Sequence, residues 1–402
     1  MGSGGLSKLR LDRMHEIMAG HVESGQVAGL VTLLDRRGEV HVDAIGMKAL
    51  GGSDPMRPDT IFRITSMTKP VTAAAAMILV EECKLRLDWP VDEFLPELAQ
   101  RQVLRRLDGP LDDTVPAKRP ITVRDLLTFR LGLGIVWGPP GATPIQRAIA
   151  ELGIVGFGAP DQATPHDPDE WLHRLGTLPL MHQPGERWMY NTGSYVLGVL
   201  IARASGQPFE AFLRERIFEP LGMADTGFSV PAAKLDRLAT SYWADEQSGA
   251  LKLNDGVADS KWRRPPAFPD GGAGLVSTVH DYRAFGRMLL DKGRHGRHRI
   301  LSRPSVELMT SDHLTPEQKA VSTFPGLWDN RGWGFGVGIV TGRDEIAAVP
   351  GRYGWDGGYG TTWASDPTED MVAILMTQRA GFPLFSAVQR DFWTAAYQAI
   401  DD

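Results

Sequence analysis

The sequence contains few of the features that cross-link a protein or anchor it in a membrane. Its single cysteine, Cys83, excludes an intrachain disulfide and a cysteine-rich metal site, and we expect it to be a small core residue. The longest apolar run, Ala73 to Val80, is far shorter than the ~18 residues of a membrane-spanning helix. The N-terminus lacks the apolar stretch of a signal peptide. These absences predict a cytoplasmic protein that does not act in a membrane.

The sequence also lacks a long block of charges of one sign. Its 43 basic and 49 acidic residues give a net charge of −6 and are mixed along the chain. Nucleic-acid-binding surfaces are usually strongly basic, so no nucleic-acid partner is predicted. The 45 glycines and 28 prolines among 402 residues stay below the roughly 25–30% of low-complexity chains. We expect a globular, loop-rich protein of one large domain or two domains.

Several motifs that bind cofactors or metals are absent. The sequence contains no G-x-S-x-G nucleophile elbow, no phosphate-binding G-x-x-x-x-G-K-[ST] loop, no H-E-x-x-H helix and no EF-hand loop. His295 and His298 lie in the basic run of residues 294–299, which is more typical of a solvated loop than of a metal site. We therefore predict that the protein needs no metal and no cofactor.

Hydrophobic periodicity divides the chain into strand-rich ends and a helical middle. Strands are predicted at Val27 to Leu34, Val40 to Met47, Gly334 to Thr341, Gly360 to Ser365 and Met371 to Thr377. Helices are predicted at Leu6 to Val22, Thr72 to Leu87, Val123 to Thr128, Ser194 to Ala204, Phe209 to Phe218 and Phe385 to Ile400. This order predicts an α/β fold, with an antiparallel sheet flanked by helices from residues 1–86 and 268–402. Residues 87–267 would form an inserted, mostly helical domain, with a cleft between the two domains.

The most informative short pattern is Ser66-x-x-Lys69, directly before an alanine-rich helical stretch. Pro70 is tolerated only in the first turn of a helix, so the helix should begin near Ser66. Residues three positions apart share one helix face, where the lysine nitrogen can reach the serine hydroxyl. Burial would lower the pKa of Lys69 and allow it to accept the hydroxyl proton. By itself, however, the pattern more often marks an N-cap serine and a solvated lysine.

The residues around this pattern indicate a family. The segment from Ser66 to Leu98, SMTKPVTAAAAMILVEECKLRLDWPVDEFLPEL, resembles the nucleophile helix of the serine β-lactamase and penicillin-binding-protein superfamily. Three further segments follow in the family's order, at Pro120 to Thr128, His182 to Pro208 and Gly271 to Leu290. Together they resemble the class C β-lactamase branch and its esterase members. The resemblance implies a β-lactamase-like fold in which Ser66 is the nucleophile and Lys69 helps to move its proton.

The family's second motif is Tyr-x-Asn, in which a phenol near the lysine passes the proton to the leaving group. Tyr190 fits the first position, so the resemblance implies that it is the third catalytic residue. The Asn position is occupied by Thr192, and Asn191 stands in the middle. We expect both residues to bind substrate, with an altered version of the contact that the family's Asn makes to the lysine and to an acyl side chain.

The family's third motif is Lys-Thr/Ser-Gly on a strand, and Trp355-Asp356-Gly357 aligns with it. Tryptophan in place of lysine removes a cation that would bind a substrate carboxylate, and the same replacement resembles the esterase members. We expect these three residues to bind substrate. The resemblance also implies an oxyanion hole formed by the N–H groups of Ser66 and Gly358. The alternative is that residues 357–360 form only a glycine-rich hairpin turn.

The sequence thus predicts a serine hydrolase that cleaves small carboxylic esters through an acyl-enzyme, with short acyl chains favoured by analogy to the family. Two alternatives remain at this point. One is a β-lactamase or D-amino-acid peptidase, and the other is a catalytically silent penicillin-binding module. Transfer of the acyl group to an alcohol instead of water is a further possibility, and the sequence does not define the oligomeric state.

Overall fold

The computed structural model describes residues 4–154, 156, 164–245, 247–322, 327–381 and 386–402. The α-helices are α1 Lys8–Glu23, α2 Thr68–Glu81, α3 Val123–Leu127, α4 Pro144–Glu151, α5 Pro168–Thr177, α6 Thr192–Ser205, α7 Phe209–Leu213, α8 Glu219–Leu221, α9 Val279–Leu290, α10 Arg303–Met309, α11 Pro316–Ala320 and α12 Ala387–Gln398. A π-helical turn, Arg214–Phe218, joins α7 to α8. Short 3-10 turns occur at Thr65–Met67, Pro96–Leu98, Ala232–Arg237 and Lys261–Arg263.

The strands are β1 Gly29–Arg36, β2 Glu39–Gly46, β3 Phe62–Arg63, β4 Gln102–Leu104, β5 Thr114–Pro116, β6 Ser241–Ala244, β7 Leu251–Asp255, β8 Val276–Ser277, β9 Arg294–His295, β10 His298–Arg299, β11 Arg331–Trp333, β12 Gly338–Val340, β13 Tyr353–Gly357, β14 Thr361–Asp366, β15 Met371–Met376 and β16 Arg379–Ala380. Seven of them form the main sheet, in the order β11-β12-β13-β14-β15-β1-β2. All of its pairings are antiparallel.

The central strands β14, β15 and β1 are buried on both faces because helices cover each face of the sheet. Along β15, alternate residues divide between the two layers, as the two-residue period of a strand requires. Met371, Ala373 and Leu375 pack in a cluster with α1 and α12. Val372, Ile374 and Met376 pack in the larger cluster that contains α2 and α9. The predicted antiparallel sheet with helices on both faces is therefore confirmed, and strands from both ends of the chain share it.

One predicted strand is divided in the structure. The run Gly334 to Thr341 contains only β12, while β11 lies just before the run. Gly336 separates the two strands with a φ of 70°, a left-handed conformation that glycine adopts without steric cost. A side chain there would press on the backbone of Lys69 in α2. The chain therefore turns sharply at this point to pack close to the predicted site.

The helix after Ser66 begins and ends differently from the prediction. It starts at Thr68, after a 3-10 turn that contains Ser66, and ends at Glu81 instead of Leu87. Cys83 follows with a φ of 57°, which a continuing α-helix does not allow. The prediction that Cys83 lies in the core is wrong: it is exposed. At the C-terminal helix, the predicted first residue, Phe385, lies outside the described residues.

The division into domains at residues 86/87 and 267/268 stays a prediction. In the described part of residues 87–267, most of the chain is helical or irregular, but four strands, β4 to β7, also lie there. β6 pairs in parallel with β16, which belongs to the C-terminal part of the chain. Among the residues that the structure describes, no helix is long and apolar enough to cross a membrane.

Candidate active site

Ser66 and Lys69 lie together where the 3-10 turn runs into α2. Lys69 Nζ is 2.9 Å from Ser66 Oγ and donates a second hydrogen bond, of 2.6 Å, to the carbonyl oxygen of Gly272. Lys69 has no exposed surface and Ser66 is 6% exposed. The preceding residue, Thr65, has a φ of 42°, an unfavourable conformation for a β-branched side chain. Backbone strain of this kind persists only where the surrounding structure holds it in place, and it is common at functional sites.

Burial controls the protonation of Lys69. Loss of hydration disfavours the ammonium form and lowers the pKa of Lys69 to about 7, and the nearby charge of Asp270 opposes this shift. Near neutral pH, a substantial fraction of Lys69 is therefore the free amine. A free amine has a lone pair that can accept a proton from the Ser66 hydroxyl.

Tyr190 lies just before α6 and completes a three-residue set. The centroid of its ring is 4.6 Å from Lys69 Nζ. Its hydroxyl shares a hydrogen bond with Ser66 and accepts one of 2.9 Å from Trp355 Nε1. Burial raises the pKa of the Tyr190 phenol well above its usual value. Tyr190 is therefore a neutral proton donor and acceptor, so the free base in this set is Lys69.

The end of β13 lies directly beside the turn that contains Ser66. Gly357 packs so closely that a side chain would overlap the Ile64 carbonyl oxygen and the Thr361 hydroxyl. Gly358 follows in the turn between β13 and β14. The structure therefore places Gly357 against the residues just before Ser66 and Trp355 against Tyr190, and the turn after Gly357 forms a hairpin in the same place. The hairpin alternative and the substrate-site prediction are thus compatible.

Asp356 lies on the opposite face of β13 from Trp355, and its predicted role in substrate binding stays a prediction. Neighbouring residues of a strand point to opposite faces. Trp355 pairs with Trp363 on the α2 and α9 face, whereas Asp356 pairs with Thr362 and accepts a hydrogen bond from its hydroxyl. The Asp356 carboxylate therefore faces the α12 side of the sheet, away from Ser66.

Asn191 and Thr192 are buried near the site, and each donates a hydrogen bond within the protein, but Asn191 Oδ1 has no hydrogen-bond partner among the described residues. The Thr192 hydroxyl donates to the carbonyl oxygen of Gly156 at 2.9 Å. Asn191 Nδ2 donates to the Tyr195 hydroxyl at 3.4 Å. The predicted roles of Asn191 and Thr192 in substrate binding stay predictions.

Aromatic side chains form one wall around Tyr190. This aromatic cluster consists of Phe129, Trp188, Tyr190, Trp328, Trp333 and Trp355. The rings of Trp333 and Trp355 meet edge to face, with centroids 4.6 Å apart. Sequence reasoning missed Phe129 and Trp188, although Trp188 stands two residues before the Tyr190 motif. Phe129, Trp188 and Trp333 are buried, so the surface that this cluster offers a substrate comes from the partly exposed Tyr190, Trp328 and Trp355, none of which is a cation.

Two further groups beside Lys69 were not singled out from the sequence. Gly272 accepts a hydrogen bond from Lys69, and Asp270 binds the backbone of the same turn. Gly272 belongs to the segment Gly271 to Leu290, which resembles the family, and Asp270 stands directly before that segment. The described residues contain no group of three or more His, Cys, Asp or Glu side chains placed to hold a metal ion.

The antiparallel sheet, the buried serine and lysine, and the tyrosine facing them define a β-lactamase-like fold with a serine-lysine site. The Beta-lactamase family model matches residues 14–398. The chain therefore belongs to the Beta-lactamase family.

Similar proteins cover nearly the whole chain. Protein Rv1367c of Mycobacterium tuberculosis is 41% identical over 365 residues, which cover 89% of this chain and 87% of the relative. Esterase EstB of Burkholderia gladioli is 32% identical over 378 residues, covering 88% and 87%. Among solved structures, EstCE1, described as a hydrolase with promiscuous acyltransferase activity, has a TM-score of 0.76 at 25% identity and covers 98% of both chains.

The protonation of Lys69 should set the pH dependence of Ser66 reactivity. The lysine accepts a proton only as the free amine, and its pKa is lowered to about 7. Labelling of Ser66 by a fluorophosphonate should therefore slow as the pH falls through this value and level off above it. Lys69→Ala should slow labelling by about 100-fold or more on the plateau. A wild-type rate that does not change between about pH 5.5 and 8.5 would contradict this role for Lys69.

Gly357→Ala should disturb the site without unfolding the protein. The added methyl group would meet the Ile64 carbonyl oxygen and the Thr361 hydroxyl, so β13 must shift and carry Gly358 with it. We expect Ser66 labelling to slow by about 10-fold to 100-fold. Gly20→Ala, in open space on α1, is the matched control and should react like the wild type. Equal labelling rates for Gly357→Ala and Gly20→Ala would show that this close approach does not affect Ser66.

Proposed function

We propose that this protein hydrolyses small carboxylic esters through an acyl-enzyme on Ser66. The observation that carries the proposal is the Ser66-Lys69 pair, buried beside an uncharged wall in which Trp355 occupies the position of the family's lysine. The relationship to a protein named an esterase, at 32% identity, supports the same reaction class.

The acylation step follows from the hydrogen bonds. Lys69, as a free amine, takes the hydroxyl proton of Ser66, and Oγ forms a bond to the ester carbonyl carbon. The carbonyl π electrons move to oxygen, which we place between the N–H groups of Ser66 and Gly358. When the carbonyl bond re-forms, the bond to the alkoxide leaving group breaks and the acyl group stays on Ser66.

Tyr190 is placed to carry the proton to the leaving group. Its hydroxyl is hydrogen-bonded to Ser66, and its ring lies next to Lys69. Because its pKa is raised, it holds its proton until the alkoxide takes it, and the Lys69 ammonium then restores the phenol. In the second half-reaction, water attacks the acyl-enzyme and the same groups move its proton, releasing the acid and free Ser66.

The surroundings of Tyr190 favour neutral substrates. A substrate carboxylate would meet the indole of Trp355 and the aromatic cluster, none of which carries a positive charge. Placing an unpaired charge against apolar groups is unfavourable. We therefore propose neutral esters as substrates, with short acyl chains by analogy to the family's esterases.

Acyl transfer to an alcohol is the second candidate function. The acyl-enzyme is the same, and an alcohol takes the place of water in the second half-reaction. The observation that favours it is the similarity to EstCE1, described as a hydrolase with promiscuous acyltransferase activity. Adding an alcohol to the assay and measuring the new ester against the free acid separates the two functions.

A panel of p-nitrophenyl esters and a chromogenic cephalosporin tests the proposal. The wild type should turn over acetate and butyrate esters faster than long-chain esters, and the cephalosporin slowly or not at all. Ser66→Ala should reduce ester turnover by about a thousandfold or more, because the nucleophile and its base act as a unit. Mass spectrometry should find the acyl group on Ser66.

Other results of this panel point to the alternatives. Fast cephalosporin hydrolysis with negligible ester turnover would indicate a β-lactamase, and a persistent cephalosporin adduct would indicate a binding module. Ester turnover by Ser66→Ala close to the wild-type rate would exclude this mechanism.

Substitutions of Trp355 should separate its hydrogen bond to Tyr190 from the effect of its uncharged ring on substrate choice. Trp355→Phe keeps an aromatic ring but removes the N–H that bonds to Tyr190. We expect kcat to fall about fivefold, the effect of losing a hydrogen bond worth about 1 kcal/mol. Trp355→Lys should lower the turnover of neutral esters and shift relative kcat/KM toward a carboxylate-bearing β-lactam by about tenfold.

The melting temperature of each Trp355 variant provides the control. A parallel loss of both activities in Trp355→Lys, with a lower melting temperature, would mean that Trp355 is only a packing residue.

A further inference from the structure

Asp270 is a buried carboxylate next to the predicted base. It is 2% exposed. Its Oδ1 accepts hydrogen bonds from the backbone N–H groups of Gly272, at 2.5 Å, and Ala273, at 2.9 Å. These bonds hold the turn in which the Gly272 carbonyl oxygen points to Lys69 Nζ at 2.6 Å. The Asp270 side chain therefore fixes the position of the Gly272 carbonyl oxygen, the second hydrogen-bond acceptor of Lys69.

Few polar groups share this space with Asp270. Lys69 faces it from α2, and the Tyr195 hydroxyl faces it from α6. Tyr195 also packs against Gly272, where a side chain would overlap its ring. In the part of the chain that the structure describes, Asp270 forms no direct ion pair, and Lys69 is the cation whose charge acts on its carboxylate.

We propose that Asp270 is a positioning residue for the Ser66-Lys69 pair. It holds the Gly272 carbonyl on Lys69 and supplies the negative charge that keeps the lysine able to bind a proton inside the protein. The proposal rests on the proposed function of Ser66 as nucleophile, and it adds a residue that acts through Lys69 without touching the substrate.

The charge and the turn make separate contributions. A negative charge stabilises the ammonium form of Lys69, so it partly offsets the effect of burial on its pKa. Burial in turn raises the pKa of Asp270 to about 6, close to that of Lys69. Removing the charge should lower the pKa of Lys69 further. The rate of Ser66 labelling should fall as the pH is lowered, and we call this part of the profile the acidic limb. Without the charge, the acidic limb should move to lower pH.

Three substitutions distinguish the two contributions. Asp270→Asn keeps an oxygen that can accept both backbone hydrogen bonds but removes the charge. Asp270→Ala removes both. Asp270→Glu keeps the charge on a longer side chain.

The control is Asp281→Asn. Asp281 is also buried and also accepts a backbone N–H, from Asp225 at 2.7 Å, but it lies on α9 and is not among the groups that shift the pKa of Lys69. Its substitution measures the general cost of neutralising a buried carboxylate.

The readout is the rate of Ser66 labelling by a fluorophosphonate against pH, with a melting curve for each variant. Asp270→Asn should move the acidic limb down by at least about half a pH unit, with little change in the plateau. Asp270→Ala should also lower the plateau by about tenfold, and Asn should restore most of this loss. Asp270→Glu and Asp281→Asn should keep the wild-type limb.

A folded Asp270→Asn variant with the wild-type pH profile would overturn the role of the charge. Equal plateaus for Asp270→Ala and Asp270→Asn would overturn the role of the turn. If Asp270→Asn does not fold, Asp270→Ser, which is also uncharged, is compared with Asp270→Glu, and identical limbs for these two would equally reject the charge.

Labelling separates this inference from the proposed function. If wild-type Ser66 is labelled but no ester is turned over, the proposed function fails and the Asp270 comparison still stands. If Ser66 is not labelled at any pH, its role as nucleophile fails. Ester turnover with identical pH profiles in the wild type and Asp270→Asn would reject the role of the charge alone.

Discussion

The burial of Lys69 is the interaction on which the rest of the site depends. An exposed lysine is protonated at neutral pH and cannot accept a proton. Here, α2 lies entirely inside the protein at this point, and Lys69 donates hydrogen bonds only to Ser66 and to the Gly272 carbonyl among the described residues. Loss of hydration lowers its pKa toward neutrality. Under the proposed mechanism, burial thereby turns Lys69 into a general base that is neither a histidine nor a metal-bound group.

The position of α2 explains why the other groups meet there. Its first turn contacts the end of β13, where Gly357 leaves room for the backbone before Ser66. The start of α6 brings Tyr190, and the loop before β8 brings Asp270 and Gly272. These segments are far apart in sequence. The main sheet fixes the end of β13, and the packing of α2 against α6 fixes the segment that carries Tyr190.

The aromatic cluster links chemistry to selectivity. Trp355, which we align with the family's lysine, donates to the Tyr190 hydroxyl, so one indole forms part of the wall and orients the phenol. A lysine at this position would serve a carboxylate-bearing substrate. Under the proposed function, the neutral ring would suit uncharged acyl groups, and the same indole would link the choice of substrate to the proton path.

Local patterns were enough to predict the helix after Ser66, the strand pair at the N-terminus and the strands near the C-terminus. The spacing of hydrophobic residues and the position of Pro70 contain that information within a few residues. The boundaries were less accurate: α2 ends at Glu81 because Cys83 adopts a left-handed conformation, and Gly336 divides a predicted strand in two. Such breaks depend on backbone conformations that the composition of a segment does not reveal.

By itself, the sequence determined the family, the type of fold and the proximity of Ser66 to Lys69, because each depends on local spacing or on motif order along the chain. Only the tertiary structure decided that Asp356 faces away from Ser66, that Asn191 and Thr192 bond within the protein, and that Asp270 lies beside Lys69. Side-chain direction on a strand depends on its register in the sheet. Likewise, contact between a helix and a distant turn exists only after both have packed, so no pattern within either segment encodes it.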